Sequence, residues 1–580
     1  MSDKLTNIIA GILLATMFLL AFFSYQEDSL TMDELAHIPA GYSYLTQRDF
    51  RINPEHPPLI KDLAAFPLLF LDFNFPIDSP AWTENVNDQW QFGWEFLYNS
   101  GNNPDQITFW ARLPMVFLLI FLGYFLFWWI KKEFGENVAL LVLALFSFSP
   151  NFLAHGKLVT TDVGATLGVV LATYFWLKFL KNPSKKNIIL AGLVFGISLL
   201  FKFSLALLIP FFGIITIIYS ILKKENILKY IGLSFLVGVI GMIFVILPVY
   251  QFHILNYPSA KQLSDTIFIL ESFPSGPLKN LCIWMVNKPI IRALGHYLLG
   301  LLMATQRTAS GNTVYFMDMI SAAGWWYYFP IVYFLKIPLG FHILTLISLT
   351  LALLNIKKPF WIETEKRIKG WILNHFTEFS MLVFLAIYWI TSISGKLNIG
   401  VRHVLPVFPF TYVLVSLGLS NGIKQIKILK FKKIIIFLSI VLIGWYILSS
   451  VGSYPYYLSY FNEIAGGTDN GYQYVVNSNY DWGQDLKRLA KFIEENKIAK
   501  MKVDYFGGGD VNYYLGEKAE RLNPQEGPQK GWLAISATLL QGGRGNPVPG
   551  FDQPVGYYKW LNEYKPVAKA GTSIFIYNIE

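Results

Sequence analysis

Long apolar runs recur along the whole chain, and each is long enough to be a candidate for crossing a bilayer. They fall at residues 8–23, 110–130, 138–154, 159–177, 188–201, 203–222, 230–250, 338–354, 379–394, 404–420 and 434–450. That predicts an α-helical polytopic membrane protein of about eleven spans. The composition agrees: 54% of the residues are hydrophobic and only 15% are charged, where soluble domains run near a quarter charged. A disordered chain, a nucleic-acid binder and a soluble enzyme all fit poorly. The single cysteine, Cys282, excludes an internal disulfide and a cysteine metal cluster.

The first run follows Asp3 and Lys4 without a small-residue cleavage site and reads as a retained anchor. Lys131, Lys132, Lys181, Lys185, Lys186, Lys223, Lys224, Lys229, Lys357, Lys358, Lys366, Arg367, Lys369, Lys424, Lys427, Lys430, Lys432 and Lys433 all fall on one side of this layout. The positive-inside rule makes that side cytoplasmic, with the N-terminus inside and the C-terminus outside. The net charge of +9 is then mostly a topology signal, and no nucleic-acid partner is expected.

Three outer segments are long. Residues 24–109 are rich in acids, and residues 251–336 are aromatic, with Trp325 to Phe329 reading as an interfacial belt. Residues 452–580 alternate glycine-rich turns with strand-like runs at 502–506, 532–536 and 573–577. An amphipathic helix is predicted over 481–496, capped by Asp481. The organisation read from this is a membrane domain over 1–451 and a small extracytoplasmic α/β domain over 452–580.

Residues that can carry chemistry gather at the outer boundary. Thr31 and Glu34 have capping-box spacing, so a helix starts just after the first span, kinked at Pro39, with Leu35, Ile38, Tyr42 and Leu45 as a stripe for the membrane surface. Glu34 then caps while Asp33 is free to face a cavity; alternatively both acids are solvated residues of a first turn. His56 and Lys61, beside Pro57 and Pro58, can present positive charge to a phosphate, or Lys61 can snorkel and His56 cap a turn. Asp162 sits at the outer end of a span, which is costly unless the acid is paired or faces water. Lys202 reads as the tip of a hairpin, and Arg112, Arg402 and His403 add cations at the same level. Acids and cations at one water-facing boundary suit a base that activates a nucleophile and cations that stabilise a departing phosphate.

The order of one span, Asp33-Glu34, a long outer loop with Pro57-Pro58-Leu59, then many spans resembles the GT-C glycosyltransferases. More narrowly it is similar to the protein O-mannosyltransferases and lipid A aminoarabinose transferases. Asp33-Glu34 matches that family's acidic motif, Glu55-His56-Pro57-Pro58-Leu59 resembles its Glu-Lys-Pro-Pro-Leu segment, Asp162 matches an acid ending the second outer loop, and Lys202 a lysine of a later span pair. The resemblance implies a polyprenyl-phosphate-linked sugar as donor and a protein, lipid or glycan acceptor at the outer face of the cytoplasmic membrane. It implies an inverting transfer with Asp33 as general base, Glu34 and Asp162 beside it, and donor contacts among His37, His56, Lys61, Lys202 and Arg402. His56 stands where that family has a lysine and Ala36 where it has an arginine, which shifts phosphate contact towards Lys61, Lys202 or Arg402. No cofactor and no obligatory metal are expected, because the histidines show no ligand spacing.

Three rival readings make distinct predictions. An oligosaccharyltransferase-like enzyme needs a divalent ion. A lipid or sugar transporter needs inverted repeats and broken helices. A scaffold is indifferent to Asp33→Asn.

Overall fold

The computed structural model describes residues 2–356 and 363–580; Lys357 and Lys358 of the basic set lie outside the described residues. Among these residues eight helices are long and apolar enough to cross a membrane alone: Asp3–Ser24, Pro104–Phe134, Thr161–Lys181, Phe203–Lys223, Ile227–His253, Phe376–Ser394, Val401–Gln425 and Leu429–Val451. Each covers one expected run.

The other three runs form shorter helices. The helix Glu136–Ser147 stops because Ser149 precedes Pro150 and takes an extended backbone, after which Pro150–His155 begins again. The helix Lys185–Leu199 has 15 residues and packs between the helices that start at Thr161 and Ile227. Gly192 and Gly196 let its backbone meet that of Gly241, where a Cβ would collide. The last expected span is the second arm of a bent pair, Tyr328–Leu335 and Leu339–Leu354, set at 109° about the break before Pro338.

The first outer segment folds as its own layer. The helix Met32–Gln47 carries both arms of the Thr31–Glu34 capping box and runs through Pro39. Its apolar stripe does not lie on the membrane: Ile38 and Tyr42 are buried, with Tyr42 against the rings of Phe73, Phe75 and Phe96. The segment supplies its own aromatic cover, so the stripe is desolvated by protein. Likewise Trp325, Tyr327 and Tyr328 pack around Phe316, leaving Trp326 as the exposed member of the aromatic stretch.

Among the described residues eight strands lie outside the spans: β1 (Val314–Phe316), β2 (Met319–Ser321), β3 (Met501–Asp504), β4 (Ala519–Arg521), β5 (Gly531–Ser536), β6 (Asn546–Pro547), β7 (Ala568–Ala570) and β8 (Ile574–Ile579). The tail builds a mixed five-stranded sheet in the order β4-β3-β5-β8-β7, with β5 and β8 antiparallel through Leu533 and Tyr577. Strand β6 instead joins the β1–β2 hairpin of the second outer segment, parallel to β2.

The tail is also bonded to the first outer segment. Ser29 Oγ donates to the Gly483 carbonyl at 2.7 Å, Met32 N to the Trp482 carbonyl at 3.1 Å and Gly508 N to the Leu30 carbonyl at 3.2 Å. Trp94 Nε1 reaches Asp510 at 2.7 Å and Arg488 reaches Asp28 at 2.9 Å. The helix predicted from Asp481 starts at Leu486, because the Asp481 carboxyl is turned to accept from Thr538 N at 2.7 Å.

Candidate active site

A cavity of about 690 Å³ opens where the first outer segment meets the outer ends of the spans. Asp33 reaches it from the first turn of the capped helix; Lys202 from the connection before Phe203–Lys223; Arg402 from the turn that begins Val401–Gln425. One network ties them. Arg402 Nη1 donates to Asp33 Oδ2 at 2.9 Å and to Asp162 Oδ2 at 3.2 Å, and Lys202 Nζ donates to Asp162 Oδ1 at 2.5 Å. Asp162 is fully buried beneath the two cations, whereas the Asp33 side chain keeps 24% of its surface exposed to the cavity. Among the described residues Asp33 Oδ1 accepts no hydrogen bond.

The tail holds this network from behind. Trp482 lies under the Arg402 guanidinium, 4.3 Å from charge centre to ring centroid. Ser478 Oγ accepts from Arg402 Nε at 3.2 Å and donates to the Ile399 carbonyl at 2.5 Å. A planar guanidinium held on three sides keeps its fork aimed at the two acids. The run 477–486 thus backs Arg402 from outside the cavity lining.

Glu34 does not share the place of its neighbour. It is buried and saturated: Thr31 N and Oγ1 donate to it at 2.9 and 2.8 Å, Val159 N at 3.0 Å, and Arg112 at 2.9 and 2.6 Å through two nitrogens. Burial pushes its carboxyl up, yet the Arg112 pair and these bonds outweigh it and hold the group below the usual range. Glu34 therefore fixes the helix start and stays off the cavity wall.

Lys61 is also turned away from the cavity. Its ammonium donates to Tyr44 Oη at 2.7 Å, Asn53 Oδ1 at 2.8 Å, and the carbonyls of Asn53 and His56 at 2.9 and 2.8 Å. Burial pushes it down to about 7, against the pull of Glu55 and Asp62. It staples the loop 53–56 instead of meeting a ligand. Asn53, in a left-handed conformation with φ of +56°, donates in turn to Gln89, which donates to Glu55 at 2.6 Å.

His37 and His56 both line the cavity, their rings 5.1 Å apart and edge to face. Burial lowers both, His56 the more because His37, Lys61 and Lys202 add positive charge around it. They offer hydrogen bonds and an uncharged wall, not the positive charge expected of His56. Arg307 and Lys396 line the cavity as well and were not singled out by the sequence. Among the described residues neither is in an ion pair, unlike Lys202 and Arg402. A basic residue in a segment that the positive-inside rule assigns to the outside was the available signal. Phe203, Ala206, Leu207 and Leu301 give the cavity an apolar flank. Among the described residues no group of three or more His, Cys, Asp or Glu is placed to hold a metal.

Residues 103–250, about a quarter of the chain, match the family of dolichyl-phosphate-mannose-protein mannosyltransferases. Over that stretch the chain is similar to the family. Asp162 and Lys202 fall inside the matched stretch; Asp33, Arg307, Lys396 and Arg402 fall outside it. The fold is similar to that of ArnT from Cupriavidus metallidurans bound to undecaprenyl phosphate, at 11% identity and a TM-score of 0.42 over 97% of each chain. The apo form of that protein aligns with a TM-score of 0.45 at 11% identity, over 99% of this chain and 98% of the other. The Archaeoglobus fulgidus oligosaccharyltransferase aligns with a TM-score of 0.46 at 10% identity, over 89% of this chain and 60% of the other. A comparison with curated protein sequences finds no match.

Proposed function

We propose that the chain transfers a sugar from a polyprenyl-phosphate carrier to an acceptor hydroxyl, with inversion at the anomeric carbon and Asp33 as the base. The observation that carries this reading is the Asp33 carboxylate at the cavity wall, one oxygen held by Arg402 and the other open. The carrier's lipid runs along the apolar flank near Phe203 and Leu301, and its phosphate meets Lys202, Arg307 and Lys396. The acceptor hydroxyl gives its proton to Asp33 as its oxygen bonds to the anomeric carbon from the face opposite the phosphate. The bond from that carbon to the phosphate oxygen breaks, and its electron pair leaves with the carrier phosphate. Asp162 takes no proton in this scheme. It positions Lys202 and Arg402 so that positive charge stands where negative charge develops.

The test uses purified protein in lipid with a panel of short-chain polyprenyl-phosphate sugars and cell-envelope extract as acceptor source, with free polyprenyl phosphate followed by mass spectrometry. A base of this kind contributes about 10²–10⁴-fold, so Asp33→Asn is expected to slow release by that factor in folded protein. Release unchanged by Asp33→Asn overturns the assignment of the base. A parallel arm with chelator separates this reading from the metal-dependent oligosaccharyltransferase reading, which requires release to stop.

A further inference from the structure

A second, smaller cavity of about 170 Å³ lies beside the first, where the second outer segment, the connection between the last two site-bearing spans and the tail come together. Ile399 lines both cavities. The lining of the smaller one has a distinct chemistry. It presents amides and hydroxyls from Asn312, Asn398, Asn477, Thr538 and Gln553, with the rings of Tyr315, Phe551 and Tyr557, and not one of its lining residues is charged. A phosphate or a carboxylate finds no counter-charge there. A hydroxyl-rich neutral group finds donors, acceptors and ring surface together. At ~30 Å³ per water molecule the space equals roughly six waters, suited to one sugar ring and far too small for a lipid-linked donor.

Asn398 supplies an independent sign that something is meant to bind. The residue is fully buried, and its Oδ1 accepts from Trp325 N at 2.6 Å. Its Nδ2 is buried with no hydrogen-bond partner. Native proteins rarely leave such a donor unused, and a ligand oxygen is a ready way to satisfy it. The position fits the architecture too: β6 of the tail pairs with β2, and Gln553 and Tyr557 of the tail line the cavity together with Asn312 and Tyr315.

We propose that this cavity is the acceptor subsite and takes a neutral sugar unit of a glycan, so that the acceptor class is carbohydrate and the tail is the part of the molecule that selects it. The proposal rests on the transferase reading above for the word acceptor, but the cavity's taste for neutral sugar can be tested apart from it.

The full chain in lipid nanodiscs is titrated, without donor, with short neutral oligosaccharides of glucose, galactose and N-acetylglucosamine, with a Ser/Thr-containing peptide, and with a phosphorylated glucosamine disaccharide. Binding is read by saturation-transfer NMR and the same probes are then offered as acceptors. At least one neutral oligosaccharide is expected to bind, with affinity weakened about tenfold by Asn398→Leu and by Gln553→Ala, the size of one or two lost hydrogen bonds. Gln553 is exposed at the rim, so its variant tests the site even if Asn398→Leu fails to fold. Absence of binding by every neutral probe, affinity equal in wild type and Gln553→Ala, or selection of the peptide or the phosphorylated disaccharide instead overturns the proposal. Donor turnover lost in Asp33→Asn but without any neutral-sugar binding keeps the transferase reading and removes this one. Sugar binding through Gln553 without turnover of any donor does the reverse.

Discussion

Asp33 and Glu34 are adjacent in sequence, and a carboxylate at either position looks alike to a motif search. Their surroundings separate them. Glu34 neutralises Arg112, a guanidinium with no exposed surface that also donates to the carbonyls of Asp28 and Ser29 at 3.1 and 2.9 Å. Replacing Glu34 by Gln keeps an oxygen for the helix cap but leaves Arg112 buried with one charge too many. Breaking a buried pair in this way costs about 3–5 kcal/mol. Glu34→Gln is therefore expected to lower the thermal midpoint steeply and to reduce the yield of monodisperse protein, whereas Asp33→Asn, at a partly exposed position, leaves both near wild type. Fluorescence-detected size exclusion after a heating series reads the difference. A stable Glu34→Gln protein without activity would return Glu34 to the chemistry. The sequence made the capping pair legible because its partners are three residues apart. It placed Arg112 among the boundary cations but not as the partner of Glu34, because Arg112 lies in a different helix and the pairing follows only from packing.

At the scale of elements, the run 477–486 links the tail to the Asp33–Arg402–Asp162 network, and it carries one buried acid without a cation, Asp481. The carboxyl accepts from Thr538 N at 2.7 Å and weakly from Gly483 N at 3.4 Å, with no cation against it, and Asp485 stands nearby. Burial pushes it up to about 7. An acid raised in the folded state holds more protons there than in the unfolded chain between about pH 4 and pH 7. Its stabilising contribution is complete below the unfolded value near 4 and is lost as pH rises through about 7. Asp481→Asn mimics the protonated form and keeps an oxygen for Thr538 N. Wild type minus variant is therefore expected to give a difference in thermal midpoint that is small at pH 4.5 and favours the variant by a few degrees at pH 8. A difference independent of pH would mean that Asp481 does not titrate with folding.

The elements themselves were legible to different degrees. Hydropathy located the eight long spans and the alternation located β3, β5 and β8 within a few residues, since both signals are periodic and local. The breaks before Pro150 and Pro338 were less visible, because an apolar run does not report where its backbone bends. Pairing of β6 with β2 was not visible at all: more than two hundred residues separate them, and neither strand is long enough to announce itself. The smaller cavity escaped for that same reason, as its walls come from segments far apart in the chain.

For the whole molecule, the charge pattern and the site lie at opposite ends of the same helices. Lys131 pairs with Asp3 at 2.6 Å, Lys181 pairs with Glu133 at 2.8 Å, and Thr377 donates to that same Glu133 at 2.8 Å. The start of the first helix, the ends of Pro104–Phe134 and Thr161–Lys181, and the start of Phe376–Ser394 thus share one basic end. The other ends of these helices carry the cavity: Lys157 bonds the Ser24 carbonyl at 3.0 Å, Asp162 follows Thr161, and Ser394 lines the cavity wall. The positive-inside rule predicts a cytoplasmic basic end, so the cavity and the tail are expected on the far side of the membrane, the side the proposed transfer requires. Single-cysteine variants in a Cys282→Ser background decide this, since both Lys186 and Glu517 are exposed and stand at the two ends. A membrane-impermeant maleimide added to intact spheroplasts is expected to label Glu517→Cys at once and Lys186→Cys only after permeabilisation. The opposite pattern would place Asp33 in the cytoplasm, out of reach of any envelope acceptor, and the transfer would then have to take place before the product crosses the membrane.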